Sequence, residues 1–246
     1  MRTALWVVLP YLALASFVGG HVWRYRYDAF GWTTRSSQLL ESRLLRLGSP
    51  LFHVGILLVA GGHVVGLLVP ASWTDALGVS EGVYHKASLT LGTIAGVMTV
   101  VGLGILVYRR RTTDAVFRVT TRNDKAMYVL LGAVLLAGLG TTVLTNALGH
   151  PHDYRQTVSP YLRSVLTLGP DVHRIDAAPW GFQLHVALAW LLIGVWPYTR
   201  LVHVFSAPLG YLTRPYVVYR SRDTSPTGAR GPRRGWEPVR LPEQHR

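Results

Sequence analysis

Four histidines in this chain occupy positions where a histidine is costly. His53 and His63 lie in the apolar stretch LFHVGILLVAGGHVVG, and His185 and His203 lie in FQLHVALAWLLIGVWPYTRLVHVFS. An ionisable ring in lipid is unfavourable without a partner, so each of the four is a candidate for chemistry. Neutral imidazole ligates iron, copper and zinc. A zinc or copper site would gather three or four ligands at one point. Two stretches that each carry a histidine toward either end offer two separate pairs instead, an arrangement suited to two haem irons. Two axial histidines leave no open coordination position, so a haem held this way passes electrons and does not bind oxygen. The chain has no cysteine, which excludes cysteine-ligated iron–sulfur clusters and thioether-linked haem, so both haems would be non-covalent b-type groups. The competing reading is that the four histidines are hydrogen-bonded packing residues.

The elements that must carry these residues are membrane helices. Nearly half of the residues are apolar, only 15% are charged, and the mean hydropathy is +0.25. The apolar residues are bunched into five stretches close to the ~20 residues that a helix needs to cross a bilayer. They are expected at Ala4–Trp23, Leu51–Pro70, Ala87–Tyr108, Ala126–Leu148 and Phe182–Phe205. The expected fold is all-α, an integral membrane bundle of five transmembrane helices over residues 1–220. A basic Pro/Gly/Arg-rich tail follows over residues 221–246, too polar to bury a core and expected to be extended. The first stretch reads as a retained helix, because it runs on through GGHVW without a small-x-small cleavage pattern.

Arginine placement sets the expected orientation. Arg24, Arg26, Arg35, Arg43 and Arg46 lie between the first two stretches, Arg109, Arg110, Arg111, Arg118, Arg122 and Lys125 between the third and fourth, and eight more arginines follow Ser206. The positive-inside rule then puts the N-terminus outside and the C-terminus in the cytoplasm, with the chain a multi-pass protein of the cell membrane. Topology accounts for the net charge of +13, and nucleic-acid binding is not needed to explain it.

In this topology the second helix runs outward and the fifth inward, so His53 pairs with His203 at the cytoplasmic end and His63 with His185 at the outer end. The eighteen residues from His185 to His203 make five turns and put both rings on one side. His53 and His63 are about 80° apart. The axial separations, about 27 Å on the fifth helix and about 15 Å on the second, do not match, so each haem would have its ligands at different depths or the helices must tilt or bend. Pro197 is the candidate for that bend. Gly61 and Gly62 remove bulk where a macrocycle would approach the backbone. His21, His85, His150, His152, His173 and His245 read as surface or packing residues.

At these residues the sequence resembles a known family. RYRYDAFGWTTRSSQLL, SPLFHVGILLVAGGHVVGLLVP and RLVHVFSAPLGYLTRPYVVYRSR are similar to the gamma subunit of respiratory nitrate reductase, and the resemblance covers about residues 10–222. It implies a five-helix di-haem cytochrome b, with His63 and His185 on the outer haem and His53 and His203 on the inner one. It also implies quinol (menaquinol or ubiquinol) oxidation at the outer haem. Electrons would pass to an iron–sulfur beta subunit and on to a molybdenum alpha subunit that reduces nitrate on the cytoplasmic side. The family links a glycine before the outer ligand, here Gly62, and a lysine near the start of the third helix, here Lys86 or its neighbour His85, to quinol. Lys86 also reads as an interfacial anchor. Two alternatives stand beside this one. The chain could be a di-haem anchor for another quinone-linked enzyme, or a haem-free membrane anchor or transporter.

Overall fold

A computed structural model describes residues 2–28, 31–32, 37–149 and 151–206. His150, Arg35 and the expected tail over residues 221–246, including His245, lie outside the described residues. Among those described, all regular structure is helical: α1 (Ala4–Tyr27), α2 (Arg43–Leu68), α3 (Ala71–Ala76), α4 (Glu81–Thr112), α5 (Asp114–Arg118), α6 (Arg122–Ala147), α7 (Val158–Leu166), α8 (Val172–Asp176) and α9 (Trp180–Val195). Five are long and apolar enough to cross a membrane: α1, α2, α4, α6, and α9 with the turn that extends it to Tyr198. Leu57, Leu91, Val129 and Leu136, among many others, are exposed on their outer faces, as a lipid-facing surface requires.

The first four of these helices begin or end beyond the purely apolar stretches. α2 starts eight residues early and continues through Pro50, and α4 runs through the arginines to Thr112. These polar ends are held by specific partners. Arg109 is buried and donates to the Ser37 carbonyl, the Ser37 hydroxyl and the Glu41 carboxylate. α6 opens on a capping box, in which the Thr121 hydroxyl accepts from the Asp124 amide at 3.1 Å and the Asp124 carboxylate accepts from the Thr121 amide at 2.9 Å.

Glycines set the contact between α2 and α4, which run antiparallel. A Cβ at Gly55 would stand 2.6 Å from the Thr99 hydroxyl, one at Gly48 2.9 Å from Ile105, and one at Gly102 would collide with the backbone of Phe52. Small residues are what allow helices to approach this closely in lipid, where burial of apolar surface no longer drives them together.

The expected fifth span does not hold as one helix to Phe205. α9 ends at Val195, and the chain continues as short 3-10 turns at Trp196–Tyr198 and Arg200–Ser206, with Thr199 extended between them. Pro197 cannot donate to the helical ladder, and its ring is buried against Gly20 of α1. The five-turn relation between His185 and His203 is therefore void.

The segment between α6 and α9, expected to be a loop, forms the best-packed part of the described chain. α7 and α8 bury Val158, Tyr161, Val165 and Ile175 against Trp6, Phe182 and Trp190. The Tyr161 hydroxyl donates to the Trp6 carbonyl at 2.8 Å, the Ser159 hydroxyl to the Gly66 carbonyl at 2.9 Å, and Arg163 to the Leu67 carbonyl at 3.0 Å. The last two acceptors lie in the π-helical turn Val64–Leu68 that ends α2, where carbonyls lack helical partners.

Candidate functional site

The four membrane histidines meet in two pairs. The rings of His53 and His203 have centroids 6.2 Å apart at an interplanar angle of 73°, and those of His63 and His185 are 6.0 Å apart at 51°. Ten helical residues separate His53 from His63, so the pairs are stacked about 15 Å apart along α2.

The break after α9 explains how both pairs become level. From His185 to Val195 is ten residues, the same climb as from His53 to His63. The chain must then stop advancing along the helix axis if His203 is to meet His53. Two bonds hold the break to the start of α6: Asn123 donates to the Tyr198 carbonyl at 2.6 Å, and Arg200 donates to the Asp124 carboxylate at 2.7 Å. The Asp124 that caps α6 therefore also positions the turn that carries His203.

Each of the four rings lies against a carbonyl through Nδ1. His53 reaches Ser49 at 2.7 Å, His63 reaches Val59 at 2.8 Å, His203 reaches Arg200 at 2.5 Å and His185 reaches Val134 at 3.1 Å. A carbonyl can only accept, so each Nδ1 carries the proton. Nε2 is then the lone-pair nitrogen of the neutral ring, the form in which histidine ligates a metal. Two imidazoles bound at about 2 Å to one iron have centroids about 6 Å apart, so the residues present fit an axial pair at each level. Among the described residues, no three or more histidine, aspartate or glutamate side chains converge as they would around a metal ion.

Comparison with known proteins gives the family. Residues 2–222 match the family model described as nitrate reductase gamma subunit. The chain belongs to that family. It is 44% identical over 218 residues to the nitrate reductase gamma chain of Bacillus subtilis, covering 89% of this chain and 97% of that one. It is 33% identical over 216 residues to the respiratory nitrate reductase 2 gamma chain of Escherichia coli, covering 87% and 95%. It is also 52% identical over 237 residues to the nitrate reductase-like protein NarX of Mycobacterium tuberculosis, covering 96% of this chain but only 36% of the length of that relative.

In this gamma-family chain the residues expected beside the His63–His185 pair are less closely gathered. Gly62 directly precedes His63, and a Cβ there would meet nothing within 4 Å. His85 and Lys86 lie near the start of α4, with Lys86 exposed and the His85 carbonyl accepting from Ser88 at 3.0 Å. Gly55 packs on Thr99, and counting from that contact sets His63 level with about Leu91. Lys86 is then about 7–8 Å further toward the helix end. Among the described residues, no hydrogen bond or ring contact joins His85 or Lys86 to His63 or His185.

Their neighbour Tyr84, which the sequence did not single out, is better tied. Its hydroxyl lies 2.9 Å from that of Tyr154, and the Arg155 guanidinium stands 4.0 Å over its ring. Burial raises the Tyr154 phenol well above the usual tyrosine range, so it stays protonated. Arg155 is itself buried, bonded to Glu81 at 3.0 Å and to Thr74 at 2.8 Å. His21 and His152 are likewise more than surface residues. His21 packs among Phe17, Trp32 and Phe205, and His152 bonds Thr157 at 2.9 Å beside Phe182.

Proposed function

We propose that this chain is the di-haem cytochrome b subunit of a membrane-bound quinol:nitrate oxidoreductase. The observation that carries the reading is the pair of histidine couples, each at the ring spacing of an axial ligand set and each with its lone-pair tautomer fixed. His53 and His203 would hold the haem at the arginine-rich end, and His63 and His185 the haem at the opposite end. When bound, the two haems would supply single-electron transfer from one membrane face to the other.

The protein's own residues have three tasks in this reading. The carbonyls of Ser49, Val59, Val134 and Arg200 orient the four imidazoles by accepting from Nδ1–H. The closed α2–α4 seam excludes water from one side. Around the outer pair, Gly62 admits a ring beside the ligand, and Lys86 or His85 offers a hydrogen-bonding group to a quinol oxygen. By the positive-inside rule the His63–His185 end faces outward, so protons lost by quinol leave there. An iron–sulfur beta subunit and a molybdenum alpha subunit would dock at the arginine-rich cytoplasmic end.

The test is haem content by variant. The purified chain should bind two low-spin b haems. His53→Ala or His203→Ala should remove one of them, and His63→Ala or His185→Ala the other. If His53→Ala and His63→Ala abolish the same haem, the pairing is wrong, and a chain with no haem sinks the reading. Lys86→Ala should slow quinol-driven haem reduction and leave dithionite reduction unchanged. Normal quinol kinetics in both Lys86→Ala and His85→Ala would remove α4 from the quinol site.

A further inference from the structure

Three of the four paired histidines are oriented by their own segment. His53 and His63 reach the carbonyl four residues back, and His203 the carbonyl three residues back. His185 reaches another helix, to the Val134 carbonyl of α6 at 3.1 Å. That helix touches the same ring a second time. A Cβ built on Gly138 would stand 2.8 Å from His185 Cε1, 3.2 Å from Nδ1 and 3.3 Å from Nε2. Real Cβ atoms do not approach this closely, and the atoms in the way belong to a ring already fixed by its hydrogen bond.

The rest of the local structure holds the glycine in place. The Gly138 carbonyl accepts from the hydroxyl of Thr141 at 2.7 Å and that of Thr142 at 3.1 Å. Just beyond it α6 leaves α-helical geometry for the π-helical turn Thr141–Ala147. Such turns inside membrane helices often accompany sites that must aim a group. The Thr141 methyl packs 3.6 Å from a Cβ position on Gly181, one turn before His185. α6 therefore presents a carbonyl and a bare Cα to one imidazole, with two threonines bonded to the carbonyl of that same glycine.

We propose that Gly138 is a positioning residue for His185, and that the Val134–Thr142 segment of α6 sets the orientation of this one imidazole and thereby the reduction potential of the group it binds. The inference rests on the haem reading above. Gly138 does not touch the cofactor in this scheme. It acts by letting the ring lie flat against the helix, where Nδ1–H can reach Val134. A methyl group at position 138 would push the ring away, lengthen that bond and rotate the imidazole plane. A weaker Nδ1–H bond makes a less basic ligand, which stabilises the oxidised iron less. The midpoint potential of this haem should rise.

The experiment uses the full chain in its native membrane complex. Gly138→Ala is compared with Gly132→Ala, a site on the same helix where a Cβ meets nothing within 4 Å. The readouts are haem stoichiometry, a redox titration and the low-spin electron paramagnetic resonance signals, which respond to the angle between axial imidazole planes. Gly138→Ala should raise the midpoint potential of the His63–His185 haem and shift its signal, or lose that haem alone, with the His53–His203 haem unchanged. Gly132→Ala should alter neither. Unchanged potentials and signals in Gly138→Ala overturn the proposal. So does an equal disturbance of both haems, because the contact is to one histidine. The double variant Thr141→Val/Thr142→Val frees the Gly138 carbonyl without adding bulk beside the ring. It should shift the same signal in smaller measure, and a shift in the other haem instead would also overturn the proposal. An unsubstituted chain that binds no haem is a separate result, which removes the haem reading itself.

Discussion

The two ends of this bundle solve one problem by different means. At the arginine-rich end, His203 sits on a 3-10 turn and is aimed by its own backbone, while Asn123 and Asp124 of α6 hold that turn in place. At the other end, His185 sits on a regular helix and is aimed by a carbonyl of α6. A packed cap of α7 and α8 covers this end. One histidine is thus placed by breaking a helix and the other by packing a helix. The first should fail when the break is repaired, and the second when the packing is loosened.

The largest effect is expected at the break. Pro197→Ala restores a backbone donor and allows α9 to continue. Eight further helical residues would carry His203 about 12 Å beyond Val195. Haem content should fall from two per chain to one, with the His63–His185 haem retained. Two haems with normal spectra would show that the staple to α6 suffices without the proline.

An intermediate effect is expected at the cap. Arg155→Met leaves Glu81 and Thr74 without their buried partner and removes the guanidinium from the face of Tyr84. The loss should be about 2 kcal/mol, read as a lower midpoint in a thermal melt. On heating, the haem at the capped end should be released before the other. Simultaneous release would mean that the ends do not unfold separately.

The smallest effect on folding is expected at Gly62→Ala. No protein atom lies within 4 Å of the added carbon, and alanine favours a helix by roughly 1 kcal/mol over glycine. Stability should hold or rise, so a fall in outer-haem content or in quinol oxidation would report on a group bound beside residue 62. Gly66→Ala is the contrast. Its Cβ would stand 2.6 Å from the Tyr154 hydroxyl, and the protein should be destabilised.

The membrane architecture was legible because lipid makes strong demands on sequence. Five apolar runs had to be helices, and a polar ring inside one had to have a partner. The pairing of His53 with His203 and of His63 with His185 followed from direction alone. The break at Pro197 was half legible. The unequal spacing allowed ligands at different depths, tilt or a bend at Pro197, and nothing in the sequence said that the helix would end there. That outcome depends on Gly20 receiving the proline ring and on α6 supplying two bonds, both tertiary facts. The capped end was missed because VSPYLRSVL is short and flanked by loop residues. Its amphipathic face has meaning only once Trp6 and Phe182 are beside it. Arg155 carried no signal because its partners are over seventy residues away. Gly138 was invisible for the same reason, since a glycine in an apolar helix signals only that something is close.

The glycine seam between α2 and α4 also implies an order of assembly. Its contacts at Gly48, Gly55 and Gly102 join atoms of the chain to one another and are complete without any third component. α2 meets α9 and the turn that follows it, in contrast, through the paired rings of His63 with His185 and His53 with His203, where the proposed reading puts a cofactor. Newly inserted chain can therefore settle the α2–α4 hairpin first and present His53 and His63 on a finished surface. If the chain carries the proposed haems, they would enter while α2 and α4 are already joined, and the arrival of α9 would close the site.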